Sequence, residues 1–312
     1  MQNNLTAWVN RDTDMLDSLK FRRLTLALIL LAIPFFFVGG PSSVSLDVYR
    51  RFWDLGHSLF FALVAINLVC WGIIKTPKHF SIAFVMVVLL SLAIEKLQSW
   101  VGRDASWLDV LANLSGFVLG YSFIQKFELK IFLLRLASLL GLIPGFWSFF
   151  KSAMVVAVAW QQFPVLLSGD SFWEQKAWGG DVTLQKIPQQ SGYKIVFPGK
   201  AFVSSDMMGF VQSWNGYQNL VLEVNNPSAK EFLLTLRISD KQHELSDQNY
   251  NDRFNRRLLL LPGENRIQVS LTEIENSPAE RKMDMDEIYL LMLFLPENGE
   301  SQKIHVNKLY LQ

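Results

Sequence analysis

A single cysteine, Cys70, stands among 312 residues, so the chain can form no intramolecular disulfide and no cysteine-rich metal site. Histidine is also scarce, with four residues, and His79, His243 and His305 have no ligand-type partner at useful spacing. A formal net charge of +1 leaves no cationic surplus with which to hold nucleic acid. There is no nucleotide-binding loop, no H-E-x-x-H and no G-x-S-x-G, which argues against ATP-driven, zinc-dependent and elbow-serine chemistry. No cofactor and no metal are expected.

Apolar residues, by contrast, are abundant and unevenly placed. They make up 50% of the chain, and the mean hydropathy is +0.21. Long apolar runs crowd the first half, while the part after Ser168 is polar with short alternating segments, the pattern of a membrane domain followed by a soluble one. The first run, from Leu24, follows Lys20, Arg22 and Arg23, but its leader is long and carries Asp12, Asp14 and Asp17. No Ala-x-Ala site follows it, so it reads as a retained helix rather than a signal peptide.

Membrane helices are expected at Leu24 to Val38, Gly56 to Ile74, His79 to Leu97 and Trp107 to Ile124. The next apolar stretch is interrupted by Arg135, Pro144 and Lys151, and is read as an interfacial helix followed by a crossing from Gly145 to Phe163. The expected division is a cytoplasmic segment at 1–23, a four-helix membrane domain at 24–125, the interfacial and fifth helices at 126–167, and a β domain at 168–312. Lys20, Arg22, Arg23, Lys75, Lys78, Lys126, Lys130 and Arg135 alternate onto one side, which basic loops mark as cytoplasmic. The expected location is the cytoplasmic membrane, with the carboxyl-terminal domain outside.

Ionisable side chains at membrane depth are costly and are kept mainly for function or for one another. Asp54 with His57, Glu95 with Gln98, and Asp109 with Asn113 are spaced three or four apart, so each pair shares one helix face. Arg103 lies in the loop between the last two pairs. The alternating topology carries all three pairs to the outer face, where they could line one pocket. His57 is suited to general acid or base work, Glu95 to the same work if partly buried, and Arg103 to bidentate capture of an anion such as phosphate. Polar residues at helix ends also bond one another and fix a bundle, and that alternative needs no ligand.

After Asp170 the pattern has a period of two, as in LVLEVNN from Leu220 and FLLTLRISD from Phe232, with turns at Asn226-Pro227, Pro262-Gly263 and Ser277-Pro278. Many short strands with such breaks indicate a β-sandwich or barrel. LLLLPGENRIQVSL from Leu258 reads as a hairpin. Trp214, Tyr217, Tyr250 and Arg253 are candidates for a sugar-binding face, with core and loop packing as the alternative for each. Asp284 and Asp286 have the hard oxygens that suit Ca²⁺, although a solvated loop explains them as well.

The motifs D-x-x-H at Asp54 and His57, E-x-x-Q at Glu95 and Gln98, Arg103, and D-x-x-x-N-x-x-G at Asp109, Asn113 and Gly116 resemble those of the VanZ-like family of bacterial membrane proteins. Members often have Lys after the first Asp, where Leu55 stands here. The second half resembles galactose-binding-like jelly rolls of carbohydrate-binding modules, through NPSAKEFLLTLRISDKQHE, DRFNRRLLLLPGENRIQVSL and IHVNKLYL. These resemblances imply a helical membrane domain followed by an all-β jelly roll, acting on or binding an envelope glycan or its lipid-linked precursor, with a link to teicoplanin resistance. The expected partners are membrane lipid and such a glycan, with no nucleic acid. A non-catalytic carbohydrate-binding or scaffold protein is the alternative, and enzymatic activity is left open.

Overall fold

The computed structural model describes residues 19–36, 41–100, 106–189 and 191–312. The chain forms two compact units, one of Met1–Ser42 with Val48–Phe150, the other of Ser43–Asp47 with Lys151–Gln312. The first is helical and the second is a β-sandwich.

The helical unit contains α1 (Leu19–Ala32), α2 (Asp47–Cys70), α3 (Pro77–Trp100) and α4 (Trp107–Ile124), and it includes most of α5 (Leu129–Gln162). Among the described residues, four helices, α2 to α5, are long and apolar enough to cross a membrane. The expected first crossing, Leu24 to Val38, ends in residues that lie outside those described. α1 has 14 residues, about 21 Å of rise, and passes into a short 3₁₀ turn at Ile33–Phe36 that contains Pro34. Proline lacks the N–H and crowds the preceding turn, so the α-helix stops before it.

α5 differs from the expectation, because it is one helix of 34 residues running through Pro144 rather than two. An apolar helix tolerates such a proline when neighbours compensate for the lost bond. Arg135, read from sequence as an interruption, has a definite task. Its Nη2 donates to the carbonyls of Ser122 at 2.7 Å and Gln125 at 3.0 Å at the end of α4, where Ser122 also accepts the Gln125 N–H.

Phe61, Ala65 and Phe117 are fully buried between the helices, and Phe80 of α3 stacks on Tyr121 of α4 at 4.1 Å. Two contacts are closer than side chains allow. A β-carbon at Gly116 would overlap the backbone carbonyl of Ser58, and one at Gly120 that of Ala62. Gly116 and Gly120 form a G-x-x-x-G stripe that lets α4 lie directly on α2. Asn67 of α2 donates to Thr25 of α1 at 2.8 Å, a buried polar tie in an otherwise apolar contact.

The second unit is an antiparallel jelly-roll sandwich. Its first sheet runs β3 (Gln185–Lys186), β4 (Tyr193–Phe197), β11 (Gln302–Leu311), β6 (Asn219–Asn226) and β9 (Gly263–Ser270), with β1 (Val165–Leu167) also on β11. The second runs β2 (Trp178–Gly180), β5 (Ser204–Met208), β10 (Ile288–Phe294), β7 (Phe232–Asp240) and β8 (Phe254–Leu260). Alternate residues point inward, so Leu234, Leu236 and Ile238 of β7 face Ile304 and Val306 of β11 across one core.

The expected hairpin at Pro262-Gly263 is instead an arch between sheets. β8 pairs with β7, whereas β9 pairs with β6, in register from Asn219 opposite Ser270 to Asn226 opposite Gly263. Both strands carry inward apolar residues, and each meets its own sheet, which the turn sequence alone does not disclose. Val44 and the Tyr289 hydroxyl, which donates to the Ser43 carbonyl at 3.1 Å, seat the segment Ser43–Asp47 against β10.

Candidate functional site

Three helices of the first unit converge on one polar cluster. His57 comes from the third turn of α2, Glu95 from the last turns of α3, and Asp109 from the first turn of α4. One ligand atom of each lies within 4.8 Å of the others, and all three residues are buried, at 3%, 5% and 9% exposure. Among the described residues this is the one grouping of His, Cys, Asp or Glu with that geometry.

The local structure explains the placement. Glu95 Oε2 accepts the backbone N–H of Ser106, the residue before α4, at 2.7 Å. That bond ties the end of α3 to the start of α4. Glu95 and Asp109 therefore both lie at the amino-terminal end of α4, where the helix dipole and unsatisfied N–H groups favour negative charge. The glycine contact of α4 on α2 brings His57, adjacent to Ser58, alongside.

Asn113 follows Asp109 by one turn, is fully buried, and neither amide atom has a hydrogen-bond partner among the described residues. Asp54 does not join the three-residue cluster. It lies 3.7 Å from Arg51, one turn earlier on α2, and with Asp109 it lines a cavity of about 40 Å³ beside Gly141 and Pro144. The Gln98 side chain and all of Arg103 lie outside the described residues.

On its other side His57 borders a groove of about 440 Å³, lined also by Ala32, Trp53, Gly56, Leu59 and Leu63. The lining is almost wholly apolar. A β-carbon at Gly56 would meet nothing within 4 Å, so there is open space at the residue next to His57.

In the sandwich, the sugar-face candidates separate. Trp214 is fully buried and packs edge-on against Phe210, with ring centroids 5.1 Å apart. Its ring is core, which corrects its assignment as a ligand platform. Tyr217 packs on the core beside Phe163. Tyr250 is 65% exposed and stays at the surface, with the guanidinium of the half-buried Arg253 lying 5.0 Å from its ring centroid. The Ca²⁺ candidates do not converge: Asp284 accepts the Asp286 N–H, and Asp286 accepts the Ser213 hydroxyl.

Sequence reasoning missed a buried network next to Arg253. Arg281 bridges the carboxylates of Asp240 and Asp252, and His243, fully buried, lies 3.4 Å from Asp252 and 3.3 Å from Arg237. Arg281 holds the Asp252 carboxyl below its ordinary range. Burial pushes Asp240 up, but its bonds from Arg281 and from the backbone of Asp284 and His243 outweigh this and leave it low. Arg281 lies 41 and 29 residues from the two carboxylates it bridges, so local spacing does not announce the pairing.

No protein-family model matches this chain, and no curated protein is similar to it in sequence. Solved structures similar to about half of it include a family 11 carbohydrate-binding module from Clostridium thermocellum in complex with a β-1,3-1,4-mixed-linked tetrasaccharide. That match has 11% identity and a TM-score of 0.37, over 47% of this chain and 93% of that one. A non-crystalline-cellulose-specific module, CBM28, matches with 7% identity and a TM-score of 0.35, over 48% and 93%. An exo-β-agarase matches with 10% identity and a TM-score of 0.36, over 47% of this chain and 24% of the enzyme.

Proposed function

We propose that this is a VanZ-like membrane protein of the bacterial envelope, which binds a lipid-linked anionic precursor with its headgroup at His57, Glu95 and Asp109. One observation carries the reading: His57 belongs both to the buried polar cluster and to the wall of the apolar groove. A site that joins a buried polar cluster to an apolar groove is matched to an amphiphile, its chain lying along Trp53, Leu59 and Leu63 and its head beside His57.

The sandwich supplies a second contact, to glycan, for which the exposed Tyr250 ring and the neighbouring Arg253 offer stacking and hydroxyl donors. Basic residues between α2 and α3 (Lys75, Lys78) and between α4 and α5 (Lys126) support a cytoplasmic side for those loops. That orientation puts the end of α5, and the sandwich after it, outside.

Gly56→Leu tests the groove without touching the cluster. Purified protein in detergent, incubated with a polyprenyl phosphate and examined by native mass spectrometry, should retain the lipid as wild type and lose it at least about tenfold as Gly56→Leu. The thermal midpoint should not fall, because leucine meets open space and favours helix over glycine by roughly 1 kcal/mol. Equal lipid retention by both proteins, or none by wild type, would refute the reading.

A further inference from the structure

We propose that His57, Glu95 and Asp109 form a binding site for one divalent cation of the Zn²⁺ or Mn²⁺ type, the bridge between the protein and the anionic headgroup. The inference deepens the function proposed above and rests on the same cluster.

The donor set is one imidazole nitrogen and two carboxylates, a mixture suited to Zn²⁺ and Mn²⁺. Ligands about 2.0 to 2.2 Å from one ion lie at most about 4.4 Å apart. Donors already within 4.8 Å need only a small side-chain adjustment to reach that limit. Each ligand comes from a different helix, so the scaffold fixes them from three directions.

The surroundings have the features of a supported site. Ligating carboxylates are held by outer hydrogen bonds, as the Ser106 N–H holds Glu95. Asn113, one turn beyond Asp109 on the same helix, is a fully buried amide with no hydrogen-bond partner among the described residues, and its carbonyl is a further hard oxygen donor within the same helix face. A group of this polarity is costly to bury without a partner, which points to a ligand in the cluster.

The chemistry of the proposed ligand points the same way. A phosphate brought against Glu95 and Asp109 meets two carboxylates of its own sign. A divalent cation turns that repulsion into a bridge, with carboxylate and phosphate oxygens on one ion. The sequence could not show such a site, because zinc motifs such as H-E-x-x-H place their ligands on one helix, whereas these residues are 38 and 14 positions apart.

The test uses the full chain in detergent. After EDTA treatment and gel filtration it is dialysed against ZnCl₂ or MnCl₂ with excess metal removed, and bound metal is measured by inductively coupled plasma mass spectrometry. Wild type should hold about one ion per chain of at least one metal. Glu95→Gln and His57→Gln, if they elute as folded monodisperse protein, should hold less than about a tenth of that. Wild type needs no folding control, and fewer than about 0.1 ions per chain with both metals overturns the proposal. So does unchanged loading in both cluster variants. Polyprenyl phosphate retained by EDTA-treated protein sinks the cation bridge while leaving the lipid reading intact; metal bound without lipid retention does the reverse.

Discussion

Gly116 lies so close to Ser58 that any side chain on it would run into the Ser58 carbonyl. Ser58 follows His57, and Gly116 is two turns beyond Asp109, so this backbone contact sets how near the imidazole comes to the carboxylates. A weak local preference, glycine in a helix, is offset by close helix packing and by the site that packing assembles.

Gly116→Ala should therefore lower the thermal midpoint of the protein in detergent, with a cost of about 1 to 3 kcal/mol from overpacking against backbone that has no rotamer to yield. Gly56→Ala, whose β-carbon meets nothing, should raise it. Differential scanning fluorimetry of the pair checks this. If the two alanine variants shift in the same direction, the contact of α4 on α2 is not as described.

Acid should unfold the sandwich through the Arg281 network. Asp252 and Asp240 have folded pKa values below the ordinary carboxylate value near 3.9, so their contribution is complete above that value. It is lost as pH falls further, through the lower folded values. Asp206, pushed up by burial against the hydrogen bond from Ser204, works in the opposite sense and softens the effect. Arg281→Gln should cost about 3 kcal/mol at neutral pH, because Asp240 is left fully buried without its guanidinium. It should also flatten the loss of stability below about pH 4. Near-ultraviolet circular dichroism against pH measures both, and an unchanged acid transition in the variant would count against the network.

Topology follows from the basic loops. A periplasmic-type phosphatase reporter fused after Gln312 should be active, and one fused after Lys75 silent. The two loops flanked by Lys75 with Lys78 and by Lys126 are both ends of helix pairs, so this outcome does not depend on whether α1 crosses. Activity of the Lys75 fusion together with silence at Gln312 would invert the arrangement and remove the sandwich from any envelope glycan.

The sequence by itself determined the elements and their class. Unbroken apolar runs make helices, two-residue alternation makes strands, and both signals are local, so α3, α4 and the strands β6, β7, β8, β9 and β11 lie where the periodicity puts them, whereas α2 runs from Asp47 to Cys70 rather than from Gly56 to Ile74. The i, i+3 and i, i+4 spacing likewise put Asp54 with His57 and Asp109 with Asn113 on common faces. Tertiary structure decided which faces meet. It drew His57, Glu95 and Asp109 into one cluster and left Asp54 with Arg51. It put Trp214 in the core, kept Tyr250 outside, and sent β8 and β9 to different sheets. The physical reason is common to all of these: contacts between distant segments depend on how closely backbones can approach and which apolar surfaces must be covered, and both are properties of the packed chain rather than of any stretch within it.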